Sequence, residues 1–512
     1  MFKESLSLIK LTKRFKEFIE SDNEESKRAA AHFINNLLDS ERGLYLKIGQ
    51  VLGSKANSLD EFKVLTQSRQ TAIELKVILP YLEDTYDKDP FSIFSDIEES
   101  IYPASIGQVH KGKLISGEQV AIKIQYPNME KKIKSQLSLL KLIPLAENFS
   151  PTKKWGMDLD SYYKMIQQTL SEELDYIREI DNQLKYAVLN KEIPYLNTSK
   201  IYEDVSNERV IVQSWEEGLF IHDIANLWSQ QERDLVGQRL LFIFFKNLLI
   251  DGFFQGDCNI GNYLFTKDSN GGPKITILDF GNCATLEKNK RLALTRIILD
   301  IIEEEDFDPV SALSLIGFNK EKLFHIKDTL PLLLNVIFGP FKSSIKYDLN
   351  KWELKNKVEL ILGEYKWWFR SAGDTTFFKI IKSFFGTVNL LEIIDAKVSW
   401  KKTFEDVTRS IIEEAYKLEY PAISEKYISF KSLAKYLNVI ISENGKQKVN
   451  LKMPASIILN LEDYLDSDIL NKLEKRGYDI HKIKRKVLAS GSHPQIVFDL
   501  EEEEKRYLVK LI

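Results

Sequence analysis

The sequence predicts an α+β fold on three observations. Helical periodicity runs from the start to about residue 90 and again from about 285 to 440. Two hairpin signatures interrupt it, the first made of IGQVHKGKLI and QVAIKIQY and the second of NYLFTK and KITILDF. From about Glu443 the pattern mixes strand-like QKVNLKMP, QIVFDLEEE and KRYLVKLI with helical SIILNLEDYLD and DSDILNKLEKRG, which predicts a small α+β appendage.

Taken in order, the first twenty residues set Leu8, Leu11, Phe15 and Phe18 at helical spacing with lysines around the other face. That pattern suits a helix packed on its own domain, with a membrane surface as the alternative. Lys10, Lys13, Arg14 and Lys16 interrupt the apolar residues, so no secretory leader is expected and the predicted location is cytoplasmic. In the first hairpin Val120, Ile122 and Ile124 alternate with Ala121, Lys123 and Gln125, and Ser116, Gly117 and Glu118 form the turn. Helical pattern resumes at about Lys131 and includes SEELDYIREIDNQLKYAVL; short strands near 200–213 end in RVIVQSW. Residues 218–255 read as helical. Their apolar run Leu240–Phe254 contains Lys246 and Asp251 and is shorter than the roughly 20 residues of a membrane span, so a buried core helix is predicted. Glu501–Glu504 read as a solvated turn.

Composition bounds the function. A chain of 512 residues with 44% hydrophobic and 29% charged residues is globular and too long for one ordinary domain. Its 71 Lys and Arg against 75 Asp and Glu give a net charge of -4, no basis for a nucleic-acid partner. Cys258 and Cys283 are too few for a disulfide framework or a zinc cluster and point to a reducing compartment and to small-residue filling.

The order of the elements matters more than any one of them. A hairpin strand bearing Lys123, a helix bearing Glu179, the polar loop GDCNIGNYLF and a second hairpin ending in Asp279-Phe280-Gly281 supply in turn the parts that phosphoryl transfer needs. Lys123 in VAIK is a cation for nucleotide phosphates, and Glu179 is the carboxylate to hold it. Asn262 and Asp279 are oxygen ligands for Mg2+. Asp257 precedes Asn262 by the D-x-x-x-x-N spacing of a kinase catalytic loop and would accept a proton or orient a water. Alone, each signal is weak; together they predict a kinase-like site binding ATP or ADP with Mg2+. The turn before the first hairpin, YPASIGQVH, has Gly107 alone in place of a glycine-rich loop. No His-Arg precedes Asp257, no Ala-Pro-Glu follows Asp279, and a helix over Leu292–Ile301 comes too soon for a peptide-binding segment. A protein substrate is therefore disfavoured. His110 reads as structural and the Trp367–Trp368 pair as core.

With these motifs the sequence resembles the UbiB family of atypical kinases, also called the ABC1, ADCK or Coq8 family. The resemblance rests on LKIGQ at 46–50, ASIGQVH at 104–110, VAIKIQYP at 120–127, ELDYIRE at 173–179, GDCNIGN at 256–262 and LDFG at 278–281, in family order. It implies a protein-kinase-like bilobal fold: a helical extension over 1–90, an N-lobe over 91–217, a helical C-lobe over 218–440 and the appendage over 443–512. It also implies that the K-x-G-Q helix places Lys47 and Gln50 near the nucleotide, that Glu173 and Asp175 face that helix, and that Ala104 and Ser105 of the alanine-rich loop line the nucleotide. Ubiquinone biosynthesis, lipid homeostasis and a lipid-like or quinone-precursor partner follow from the same resemblance. Departures are Gln255, Gly256, Cys258, Asn259 and Ile260 where the family loop is close to H-x-D-P-H-P-G-N, Tyr102 and Pro103 where it has small residues, and the polar tail in place of terminal membrane helices. Two functions are expected to compete: an ATPase or small-molecule kinase, and a non-catalytic nucleotide-gated scaffold or lipid-binding module.

Overall fold

The structure, a computed structural model, describes residues 73–104, 106–131, 133–134, 159–422, 433–464, 473, 476, 479–502 and 505–512. The amphipathic N-terminal segment, Lys47, Gln50, Ser105 and most of DSDILNKLEKRG lie outside the described residues.

The elements follow in chain order: α1 (Leu75–Tyr86), β1 (Phe94–Pro103), β2 (Gly107–Leu114), β3 (Gln119–Gln125), α2 (Leu159–Leu174), α3 (Tyr176–Asn190), β4 (Leu196–Thr198) and β5 (Val210–Ser214). Next come α4 (Ile221–Leu227), α5 (Gln230–Phe245), β6 (Phe253–Gln255), β7 (Tyr263–Lys267), β8 (Pro273–Ile277), β9 (Cys283–Thr285), α6 (Lys288–Ile302), α7 (Pro309–Leu315), α8 (Lys320–Phe324) and α9 (Leu330–Ile337). The remainder are α10 (Leu354–Leu362), α11 (Lys366–Ala372), α12 (Thr375–Ile393), α13 (Trp400–Thr408), α14 (Ile412–Tyr416), β10 (Tyr436–Glu443), β11 (Lys446–Pro454), α15 (Ile480–Ala489), β12 (Gln495–Glu502) and β13 (Lys505–Leu511). They fall into two compact units, one holding the described parts of 73–134, 159–219 and 261–283, the other 220–260 and 284–512.

The first unit is built on an antiparallel sheet in the order β1-β2-β3-β5. Alternation along β3 has the expected consequence: Val120, Ile122 and Ile124 are fully buried in a core with Phe94, Val210, Val212 and, from α1, Ile78 and Leu82. Lys123 therefore faces the other way, where Gln125 donates to the Leu174 carbonyl at 3.0 Å. A second sheet joins β4 parallel to β8, with β7 antiparallel on its far side.

Strand β1 corrects the reading of YPASIGQVH as only a turn ahead of the first hairpin. Its pairing with β2 is irregular between Phe94 and Asp96 and between Ile97 and Ile101. Buried Ile93, Phe94 and Ile97 thereby sit at helix-like separations, which hides the strand's period of two. Gly107 is required by close approach: a Cβ there would lie 2.3 Å from the Ile124 carbonyl oxygen and 2.8 Å from the Tyr176 hydroxyl. Gln108, fully buried, exchanges two hydrogen bonds with the Ile73 backbone (2.8 and 2.9 Å). Its amide Nε2 also lies 2.8 Å from His110 Nε2, while His110 Nδ1 lies 2.9 Å from the Glu98 carbonyl oxygen. An amide nitrogen can only donate, so Nε2 accepts and Nδ1 carries the proton. Burial lowers the His110 pKa and keeps the ring neutral, as a structural histidine should be.

The second unit is mainly helical. Around Phe245, the rings of Phe341, Trp400 and Phe404 gather with centroids 5.5 to 6.1 Å away. The run Leu240–Phe254 is not one helix: α5 ends at Phe245, a π-helical turn follows over Lys246–Asp251, Gly252 turns the chain at φ 66°, and Phe253 opens β6. The glycine is what permits that exit, because a Cβ would meet the Leu286 carbonyl oxygen at 2.5 Å as well as a strained φ. In the tail the sheet order is β11-β10-β13-β12 and begins at Tyr436, earlier than expected. Its apolar face is continuous with the helices: Leu437, Leu488 and Val509 share one core cluster with Leu334 and Ile361. Glu501 and Glu502 belong to β12 rather than to a turn, opposite Arg506 and Lys505. Trp368 is half-buried and stacks on His325 at 3.9 Å. Among the described residues no helix is long and apolar enough to cross a membrane.

Candidate active site

In the first unit three elements converge on one cation. β3 holds Lys123 between Val109 of β2 and Ile211 of β5. Helix α3 begins at Asp175, whose carboxylate caps it by accepting from the Arg178 amide at 2.9 Å. One turn later Glu179 is 4% exposed, and it receives the Lys123 ammonium on both oxygens, at 2.6 and 2.8 Å. The second hairpin brings Asp279, whose Oδ2 lies 3.1 Å from the same nitrogen. The Tyr176 ring sits 5.4 Å from that nitrogen, a further cation–π contact.

The turn bearing Asp279 is tied down from both sides. Asp279 Oδ1 accepts from the Gly281 amide (3.1 Å), Asn182 of α3 donates to the Phe280 carbonyl (2.9 Å), and the buried Phe280 ring packs 4.9 Å from Tyr186. The ladder of β7 with β8 ends where the Leu278 amide donates to the Asn262 carbonyl at 3.0 Å, so Asn262 and Asp279 leave the same end of that hairpin.

Electrostatics follow from one ammonium facing two carboxylates. Burial works against the Lys123 charge, but Asp279 and Glu179 override it and hold its pKa well above the ordinary value. Burial, with Asp279 negative beside it, pushes the Glu179 carboxyl up to about 7 although Lys123 opposes the rise. With both carboxylates ionised the cluster carries one negative charge in excess, and the Asp279 side chain is 37% exposed. A hard cation that keeps most of its shell as water and phosphate oxygen, and asks the protein for one or two oxygens, fits this donor set. Among the described residues no group of three or more His, Cys, Asp or Glu is placed to hold a metal.

In the second unit Asp257 is also held by a cation. Its Oδ2 lies 2.8 Å from the Lys382 ammonium of α12. The neighbouring loop residues explain their identities there: Cys258 is buried, its sulfur 3.4 Å from the Ser383 hydroxyl and 3.8 Å from that of Thr387, and a Cβ on Gly386 would come within 2.7 Å of Cys258. Small residues on one face of α12 thus form a notch for this loop. Lys382 was not legible in the sequence, because a lysine within KIIKSFFG carries no periodic or motif signal; only the packing of α12 brings it to Asp257.

Other expected site residues are placed less tellingly. Ala104 is half-buried and its amide donates to the Gly107 carbonyl at 2.9 Å, closing the turn between β1 and β2. Glu173 is half-buried in the last turn of α2, and Asp175 is exposed at the α3 cap.

Comparison with known proteins agrees with this architecture. Residues 65–312 match the family model described as the ABC1 atypical kinase-like domain. The Danio rerio protein named atypical kinase COQ8B, mitochondrial, is 31% identical over 261 residues, 50% of this chain and 41% of its own. Atypical kinase COQ8, mitochondrial, of Saccharomyces cerevisiae is 28% identical over 257 residues, 48% of this chain and 49% of its own. The chain spans about half the length of the curated relatives it matches. The solved structure of Mycobacterium tuberculosis Rv3197, in complex with erythromycin, superposes with a TM-score of 0.51 at 21% identity, covering 75% of this chain and 96% of that one. At that identity it shows the shared fold.

Proposed function

We propose that this chain, whose residues 65–312 match the model of the ABC1 atypical kinase-like domain, binds Mg-ATP and acts as an ATPase or small-molecule kinase in isoprenoid-quinone or lipid metabolism. The observation that supports it most is the Lys123 ammonium held at 2.6 Å by Glu179 and 3.1 Å by Asp279. In this reading Lys123 binds phosphate oxygens, and Glu179 keeps it aimed. Asp279 and Asn262 hold Mg2+, which would neutralise charge developing on the transferred phosphoryl group. Asp257 accepts the proton of an attacking hydroxyl or orients a water, and Lys382 holds its carboxylate in place. The substrate is a small molecule rather than a protein, and contact with a membrane is peripheral. Nucleotide-dependent phosphate release measured for the wild type and Asp279→Asn tests the reading; equal turnover in the two proteins sinks it.

The pairing of Asp257 with Lys382 also favours a second reading. A carboxylate oxygen occupied by an ammonium at 2.8 Å is not open to a substrate hydroxyl, which suits a nucleotide-gated lipid-binding module without catalysis. Tight nucleotide binding with no phosphate release, in the presence and absence of lipid or detergent, would decide for it.

A further inference from the structure

The second unit contains a cavity of about 130 Å3 whose lining is wholly apolar. Its deep walls include Leu248 of the π-helical turn, Ile297 of α6, Leu334 of α9 and Phe341, each 2% exposed or less. Its rim includes Phe338, half-buried, and Phe385 of α12, 39% exposed, so the cavity reaches solvent beside an uncovered phenylalanine. Protein interiors rarely leave space larger than a water molecule. Water does not fill this one, because a bound water needs two to four polar partners and the lining offers none; engineered cavities of about 150 Å3 with such walls stay dry and take up benzene.

We infer that this cavity is the binding site for the hydrocarbon end of a neutral single-chain amphiphile, a prenyl or alkyl chain whose polar head remains in water at the rim. The size suits a segment of about six carbons, by comparison with the benzene-binding cavity. Most ligand pockets orient their ligand with a few polar groups; here there are none, so the buried part carries no polar group and specificity lies in length and branching. The π-helical turn contributes to the site. Its wider winding sets Leu248 and Leu249 on the cavity wall, and such turns recur at functional sites. This site extends the lipid side of the proposed function and rests on it only for the biological source of the chain.

The test is binding by the full chain, measured calorimetrically with geraniol, octan-1-ol, hexane-1,6-diol and benzene as probes. Geraniol and octan-1-ol are expected to bind at least tenfold more tightly than the diol, whose second hydroxyl would enter the dry interior. Ile297→Phe fills the deep end and Phe385→Glu puts a charge at the rim; each should weaken geraniol at least tenfold and leave the affinity for a fluorescent ADP analogue unchanged. If Ile297→Phe does not fold, the rim variant decides, because its site is exposed. Failure of the wild type to bind geraniol, uptake of benzene without geraniol, or unchanged geraniol binding by Phe385→Glu overturns the assignment. The readout requires no turnover: geraniol binding without phosphate release removes the proposed catalysis and leaves this site standing.

Discussion

Lys123→Met should destabilise the first unit through Glu179, not through Asp279. The Glu179 side chain is 5% exposed and that of Asp279 37%, so water can replace the lost ammonium at Asp279 and cannot at Glu179. Removing one partner of a buried ion pair costs about 3–5 kcal/mol. Protonation of Glu179 limits that loss, with a definite sign. Its folded pKa, already raised from 4.5 to about 7, rises further once Lys123 is gone. A carboxyl with a raised folded value contributes stability below the unfolded value and loses it as pH climbs through the folded one. The wild type already carries the shift to about 7, so the cost of Lys123→Met changes with pH only above that value, growing by about 1.4 kcal/mol per pH unit until the variant's own higher pKa is reached; it should be about 1 kcal/mol larger at pH 8 than at pH 5. Replacing both partners, Lys123→Met with Glu179→Leu, leaves no buried charge and should recover at least about 2 kcal/mol of the single-variant loss. Urea unfolding of the wild type, both single variants and the double variant at pH 5 and pH 8 measures this. A cost independent of pH, or a double variant whose loss equals the sum of the singles, refutes the reasoning.

Gly107→Ala should cost about 1–3 kcal/mol by overpacking against the Ile124 carbonyl and the Tyr176 hydroxyl, read as a lower urea midpoint; Gly117→Ala, with nothing within 4 Å but a φ of 103°, should cost about 1 kcal/mol from backbone strain alone. Lys382→Met should lower the maximal rate of phosphate release at least tenfold while nucleotide affinity stays within about twofold, and Lys382→Arg should restore part of the rate, if Asp257 has the proposed role in turnover and none in holding the nucleotide. Gly386→Ala should slow turnover in the same way by pushing Cys258, and Asp257 with it, off α12, a displacement visible as reactivity of Cys258 toward a thiol reagent.

What could be read in advance was local. Alternation in VAIK fixed which face of β3 carries Lys123, because side chains in a strand alternate whatever the fold. The turn residues Ser116–Glu118 and DSNGGP marked both hairpins, and their order along the chain brought out Glu179, Asp257, Asn262 and Asp279 as candidates. β1 escaped because its bulges space the buried residues like a helix. The π-helical turn escaped because its sequence, KNLLID, is ordinary helix former up to Gly252.

The sequence by itself therefore determined the secondary elements with a clean period, the identity of the charged residues and the order in which the residues of the proposed site follow one another. The tertiary structure alone decided that one ammonium is shared by two carboxylates of unequal exposure, that Lys382 comes from a distant helix to Asp257, that Cys258 fits a notch of small residues, and that a dry cavity remains among the helices. The physical reason is range. Strand alternation and turn geometry are set within a few residues, whereas burial, charge pairing and unfilled volume depend on side chains that meet only after segments far apart in the chain have packed, 56 residues for Lys123 with Glu179 and 156 for Lys123 with Asp279.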